Sequence, residues 1–302
     1  MSRKPAPLKT GDSVALVAPA AGCDTERMER GAAVVESWGL GVEPLPYARY
    51  RRYLAATDGE RAAEIRRTLE DPRVRAVLCT RGGFGSARLH GLVDLAAATA
   101  DPKIVVGFSD VTVLLNRLVS EADCVAFHGP MVAADLPSLD DDARERFRRF
   151  LFAEPGWWDG RVTSWWNDGH AEGRLVGGCL SVLVTTLGTP YEIDTRGSVL
   201  FLEDVGEKPY RIDRMLTQLR HAGKLDQVAG VVLGPMQDCD GGHGEQWLSE
   251  IVLEAVGRSE VPVAFGLDAG HGSGNVVLPL GCHVRLDRAG GGLELLEEPF
   301  AT

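Results

Sequence analysis

The chain has 302 residues, 44% of them hydrophobic and 25% charged, enough to bury a full core in two domains or one large one. A net charge of -11 with no basic stripe argues against a nucleic-acid or anionic-membrane partner. Six scattered cysteines without a C-x-x-C pair argue against a zinc site or a disulfide framework. The first seven residues carry no apolar run, so the chain reads as a cytoplasmic protein without a signal peptide, and no stretch is long and apolar enough for a membrane span.

Residues 13–18 form a short apolar run with strand character, and 25–38 read as a helix ended by Gly39. The arginines at 49–52 and 144–149 have acidic residues close by in sequence and read as solvated faces. A charged amphipathic helix over 58–71 is stopped by Pro72, and the strand 75–80 runs into Arg81-Gly-Gly-Phe-Gly85. A further strand, 104–108, leads to a helix from Val111 and then to a strand at 124–127. This alternation predicts parallel βαβ units with their loops gathered at the carboxyl ends of the strands. Three strands end in unusual chemistry: Thr80-Arg-Gly-Gly, Gly107-Phe-Ser-Asp and Phe127-His-Gly-Pro. In an open α/β sheet all three fall on the edge where ligands bind.

Residues 140–152 read as a helix. The segment 156–173 reads as a linker after an N-terminal domain at 1–155. Its pairs Trp157-Trp158 and Trp165-Trp166 suit a plug in a domain joint or a wall of a cleft. A second domain, 174–302, would hold a helix at 178–187, a strand at 198–202 ending in Glu203-Asp204, and a helix at 213–221. Strands at 228–233 and 261–265 follow, then short strands within 278–296 around the turn Asp287-Arg-Ala-Gly-Gly-Gly292.

Ser109 stands at a strand-to-helix turn, where a side chain is pushed out of the sheet edge into the field of a helix N-terminus. Those are the requirements of an acyl-transfer nucleophile and half of its oxyanion hole, although a serine there also reads as a plain N-cap. A serine nucleophile needs a base and an acid that orients it. His271 lies in the glycine-rich loop Asp268-Ala-Gly-His-Gly-Ser-Gly-Asn275 at a strand end, free to point into a cleft. Glu203 follows Val199-Leu-Phe-Leu202 and is the candidate acid; in the other reading Glu203 or Asp204 pairs with Arg211 or Arg214. The loop Arg81-Gly-Gly-Phe-Gly85 can offer a second backbone N–H. It lacks the lysine and spacing of a P-loop, and Val111 replaces the last glycine of a G-x-S-x-G elbow.

Taken together with Gly11-Asp-Ser-Val-Ala-Leu-Val-Ala-Pro19, His128-Gly-Pro130, Gly188-Thr-Pro-Tyr191, Phe201-Leu-Glu-Asp-Val205 and Pro209-Tyr-Arg-Ile-Asp-Arg214, these motifs resemble the LD-carboxypeptidase family of serine peptidases. That family comprises muramoyltetrapeptide carboxypeptidases and also holds the microcin C immunity hydrolases. The resemblance implies a flavodoxin-like N-terminal parallel-sheet domain, a smaller C-terminal α/β domain and an active site in the groove between them, usually in a homodimer. It implies a triad of Ser109, Glu203 and His271, with the N–H groups of Asp110 and of Gly82 or Gly83 as the oxyanion hole and no metal or organic cofactor. The implied reaction releases a terminal D-Ala from a muropeptide, cutting its amide to L-Lys or meso-diaminopimelate. Arg81, Arg211 and Arg214 are candidates for the substrate carboxylate. The alternatives are an immunity-type hydrolase of aminoacyl-nucleotides, with an aromatic residue from 157–166 stacked on the base, and a non-catalytic two-domain binding protein.

Overall fold

The computed structural model describes residues 2–43 and 52–301, so of the arginine stretch at 49–52 only Arg52 lies within the described residues. The chain divides into two compact units, Met1–Trp158 with Val276–Pro279 and Pro299–Thr302, and Asp159–Asn275 with Leu280–Glu298.

The first unit runs β1 (Ser13–Val17), α1 (Thr25–Ser37), β2 (Gly41–Val42), α2 (Asp58–Glu70), β3 (Val74–Cys79), α3 (Ala96–Ala100), β4 (Ile104–Gly107), α4 (Thr112–Ser120), β5 (Ala126–His128) and α5 (Asp141–Leu151). Its strands pair in parallel in the order β2-β1-β3-β4-β5, the flavodoxin arrangement. The mostly buried, Val-rich runs of β1, β3 and β4 are what a sheet buried on both faces requires. Helix starts follow the local chemistry. Asp24 accepts from the Arg27 N–H at 3.0 Å. Thr57 and Glu60 form a reciprocal capping box at 3.2 and 2.9 Å. Asp140 accepts from the Ala143 N–H at 2.8 Å. A short 3-10 turn, Ser109–Val111, precedes α4, so the regular helix starts one residue later than the apolar pattern indicates.

Phe127, Phe147, Phe150, Trp157 and Phe300 build one aromatic core under this sheet, with the Phe127 and Phe150 rings 4.8 Å apart and Phe150 and Trp157 5.5 Å apart. Trp157 therefore belongs to the packed interior of the first unit. The segment 156–173 is no irregular linker, because β6 (Ser164–Asn167) and the first four residues of β7 (His170–Cys179) lie within it.

The second unit continues with α6 (Leu180–Val184), β8 (Ser198–Val205), α7 (Pro209–His221), β9 (Gly230–Gln237), α8 (Glu245–Val256) and β10 (Val263–Phe265). After β11 (Leu278–Leu280), which joins the outer edge of the first sheet beside β5, come β12 (His283–Asp287) and β13 (Gly292–Leu295). The second sheet has the order β13-β12-β7-β8-β9-β10-β6, parallel from β7 to β10 and antiparallel at both margins. β12 and β13 form the hairpin expected around 287–292. The helix expected at 178–187 is shorter, since β7 persists through Cys179. α7 is longer and starts at Pro209, whose fixed φ and missing N–H suit a first helical turn.

Candidate active site

In the first unit, the turn after β4 holds Ser109 at φ +57°, a left-handed backbone that a side chain other than glycine adopts at a cost of about 1–2 kcal/mol. Such strain is typical of a nucleophile elbow. Gly107 has no room for a side chain: a Cβ there would lie 2.9 Å from Val111 Cγ1 and 3.2 Å from Cys79 Cβ. Val111, the departure from the elbow motif, is thus the residue packed on the glycine that begins the turn.

The loop after β3 faces this turn. A Cβ on Gly82 would meet Ser109 Cβ at 2.9 Å, Ser109 Oγ at 3.0 Å and Asp110 N at 3.3 Å. Gly82 is therefore backbone laid directly against the serine, the arrangement an N–H donor beside a nucleophile needs. Gly83 has φ +110°, and a Cβ there would lie 2.8 Å from Ala21 Cβ. The Asp110 side chain is buried and its Oδ2 accepts the Ser86 N–H at 2.7 Å. Burial pushes this carboxyl above its ordinary range, and the Ser86 N–H works against that shift. Sequence reasoning passes over Arg61: it sits on a helix that reads as a charged surface, yet only 1% of it is exposed.

In the second unit, Glu203 lies on β8, wholly buried, and the His271 loop follows β10. Glu203 Oε2 is 2.6 Å from His271 Nδ1 and also accepts the His271 backbone N–H at 3.1 Å. An ionised carboxylate there makes Nδ1 the donor and leaves the Nε2 lone pair as a base. The close approach depends on Gly270, at φ +108°, where a Cβ would fall 2.5 Å from Glu203 Oε2. The loop is closed by the Gly270 N–H, which donates to Asn275 Oδ1 at 2.9 Å. The His271 side chain is 20% exposed.

Glu203 and Asp204 do not pair with Arg211 or Arg214. Asp204 turns the other way, is buried, and accepts the N–H groups of Ser181 at 2.7 Å and Val205 at 2.9 Å. Burial raises its carboxyl too. Arg211 pairs with Glu207 at 3.2 Å, and the Arg214 guanidinium stands 6.0 Å over the Tyr210 ring. Arg81 is exposed and reaches Gly22 O at 3.4 Å. The second Trp pair is also engaged: Trp166 stacks on Phe265 at 4.8 Å and donates to Glu245 at 2.8 Å. Among the described residues no group of three or more His, Cys, Asp or Glu could hold a metal ion, and no helix is long and apolar enough to cross a membrane.

Comparison with known proteins places both units in one family. The profile of the LD-carboxypeptidase N-terminal domain matches residues 14–129, and that of the C-terminal domain matches 172–286. A probable murein peptide carboxypeptidase of Bacillus subtilis (strain 168) is 38% identical over 300 residues, covering 96% of this chain and 93% of that one. The crystal structure of muramoyltetrapeptide carboxypeptidase from Oxalobacter formigenes superimposes with a TM-score of 0.83 at 31% identity, covering 94% of this chain and 97% of that one. The microcin C7 self-immunity protein MccF of Escherichia coli is more distant, 26% identical over 98% of this chain and 96% of its own. With both of its domains represented in sequence, the chain belongs to the LD-carboxypeptidase family of peptidases.

Proposed function

We propose that this protein is a cytoplasmic serine carboxypeptidase acting on muropeptide tetrapeptides. It would hydrolyse the amide between L-Lys, or the L-centre of meso-diaminopimelate, and the terminal D-Ala. The observation that carries this reading is the strained Ser109 turn with the Gly82 backbone laid on it, half of an acyl-transfer centre built into one sheet edge. The names of the relatives from Bacillus subtilis and Oxalobacter formigenes supply the substrate class.

In this mechanism His271 Nε2 takes the Ser109 hydroxyl proton as Oγ attacks the scissile carbonyl. Glu203 holds the ring through Nδ1 and balances the imidazolium charge that forms. The tetrahedral oxyanion is held by the N–H of Asp110 and that of Gly82 or Gly83, worth about 3 kcal/mol per donor. Collapse of the intermediate breaks the C–N bond, His271 returns its proton to the departing D-Ala nitrogen, and water deprotonated by His271 then releases the acyl group from Ser109. Arg81, Arg211 or Arg214 would take the D-Ala carboxylate. No metal or organic cofactor enters these steps, and the reading includes the homodimer that the family resemblance implies.

The MccF relation keeps an aminoacyl-nucleotide substrate as the competing reading. Within the 157–166 segment, Trp157 is core and one face of Trp166 is covered by Phe265, which leaves Trp158 and Trp165 as the half-buried rings on which a base would stack. Parallel assays on a muramoyl tetrapeptide and an aminoacyl sulfamoyl adenosine test the choice. D-Ala release with no cleavage of the nucleotide is expected; cleavage of the nucleotide alone would reverse the assignment.

A further inference from the structure

Three of the four residues Gly82–Gly85 are glycine, and Gly83 and Gly85 have φ of +110° and +140°. Such backbone is intrinsically loose in isolation, whereas an oxyanion donor lowers a barrier only when it is aimed before the charge develops. The loop must therefore be held from outside, and the structure has dedicated side chains for it. At its start, the Gly82 carbonyl accepts the Ala21 N–H at 3.3 Å. At its end, Ser86 N–H donates to Asp110 Oδ2 at 2.7 Å. Between these, the buried Arg61 donates through Nη1 to the carbonyl of Gly85 at 2.9 Å and to that of Pro19. Arg61 is itself fixed by Asp58 at 2.5 Å, and Asp58 also holds Arg88, two residues beyond Ser86, through contacts of 2.7–3.0 Å.

The loops after β1, β3 and β4 are thus tied together at one sheet edge by a carboxylate and a guanidinium that the mechanism itself does not use. Resting on the functional reading above, we propose that the Asp110 side chain and Arg61 are positioning residues of the oxyanion hole, clamping the Gly82–Gly85 loop against the Ser109 turn. Asp110 then serves twice. Its N–H is one donor, and its carboxylate anchors the loop that supplies the other, so the two donors move as one body.

The test uses the full chain with Asp110→Ala, Asp110→Asn, Arg61→Met and Arg61→Lys. Each is assayed for kcat and KM of D-Ala release and for binding of two ligands. One is a tripeptide aldehyde, whose adduct with Ser109 places an oxygen in the hole; the other is the tripeptide product, which forms no adduct. Asp110→Ala and Arg61→Met are expected to lower kcat about 10- to 100-fold with KM within about threefold. Aldehyde affinity falls with kcat while product affinity holds. Asp110→Asn recovers most of the loss, since its amide oxygen still accepts the Ser86 N–H. Arg61→Lys recovers less, because an ammonium lacks the planar fork that serves several oxygens at once. Unchanged kcat in the Ala and Met variants, or equal weakening of aldehyde and product, would overturn the proposal. Should Arg61→Met not fold, the comparison of Asp110→Ala with Asp110→Asn decides alone. Wild-type protein that releases no D-Ala would refute the functional reading itself, a result separate from any ranking of the variants.

Discussion

Glu203→Gln isolates the charge behind His271 with little change of shape. The wild-type carboxylate accepts two hydrogen bonds on Oε2, from Nδ1 at 2.6 Å and from the backbone N–H at 3.1 Å. The glutamine oxygen can keep both. In the proposed mechanism, what disappears is the negative charge that meets the imidazolium in the transition state. With charge centres about 4 Å apart and an effective dielectric constant of about 20, that interaction is about 4 kcal/mol, or roughly a thousandfold in rate. The new amide nitrogen would take the place of Oε1, which is buried with no hydrogen-bond partner among the described residues. Leaving that donor unpaired costs about 1–3 kcal/mol of stability. The expected result is kcat for D-Ala release lowered about 10³-fold, KM nearly unchanged and a modest fall in Tm, read by steady-state kinetics and thermal unfolding. A folded variant losing less than about tenfold in kcat would refute the assignment of Glu203 as the orienting acid.

Gly82→Ala would set a methyl 2.9 Å from Ser109 Cβ; kcat is expected to fall about 10²–10³-fold, and near-wild-type turnover would mean that the hole lies elsewhere. Glu64 is buried on α2, accepts the Ala18 N–H at 3.0 Å, and has its carboxyl raised by burial. Its folded-state pKa thus lies above the unfolded value of about 4.3, so wild-type stability declines as pH rises from there through the folded value, by about 1.4 kcal/mol for each pH unit separating the two. Glu64→Gln removes that slope, so its urea midpoint should gain on wild type between pH 4 and pH 7.5; a gap independent of pH would contradict the sign. All six cysteines are free and buried, and burial pushes the Cys124 and Cys239 thiols up to about 11. A disulfide-exchange reagent at pH 8 should therefore react slowly with native protein and titrate six thiols once it is unfolded. Rapid titration of any native thiol would show an opening that this packing does not allow.

The first unit was readable because its signals are local. Apolar, Val-rich runs alternate with capped helices, and the caps at Asp24, Thr57 and Asp140 sit where hydroxyl and carboxylate residues precede periodic segments. The second unit was harder. Helix α8 starts at a glycine N-cap with no side-chain capping bond, so nothing in the local chemistry announces it. β6 contains the second Trp pair and β7 starts just after it, in a stretch that reads as a linker, and their strand character comes from pairing with β10 and β12, partners about 100 residues away. The meeting of Glu203 with His271 was foreshadowed by two strand ends and a glycine-rich loop. The diversion of Asp204 to Ser181 was not, because adjacent strand residues face opposite sides and only the fold decides which side holds the site. Arg61 was illegible for a related reason: a charge on an amphipathic helix reads as solvated until the loops that bury it are in place.

The most direct test of the account is D-Ala release from a muramoyl tetrapeptide, in its L-Lys and diaminopimelate forms, by wild type and by Ser109→Ala. Release by the wild type and a loss of several orders of magnitude in the variant are predicted, with the faster form naming the preferred substrate. Equal release by the two proteins would contradict the assignment of Ser109 as nucleophile and remove the basis of the proposed triad.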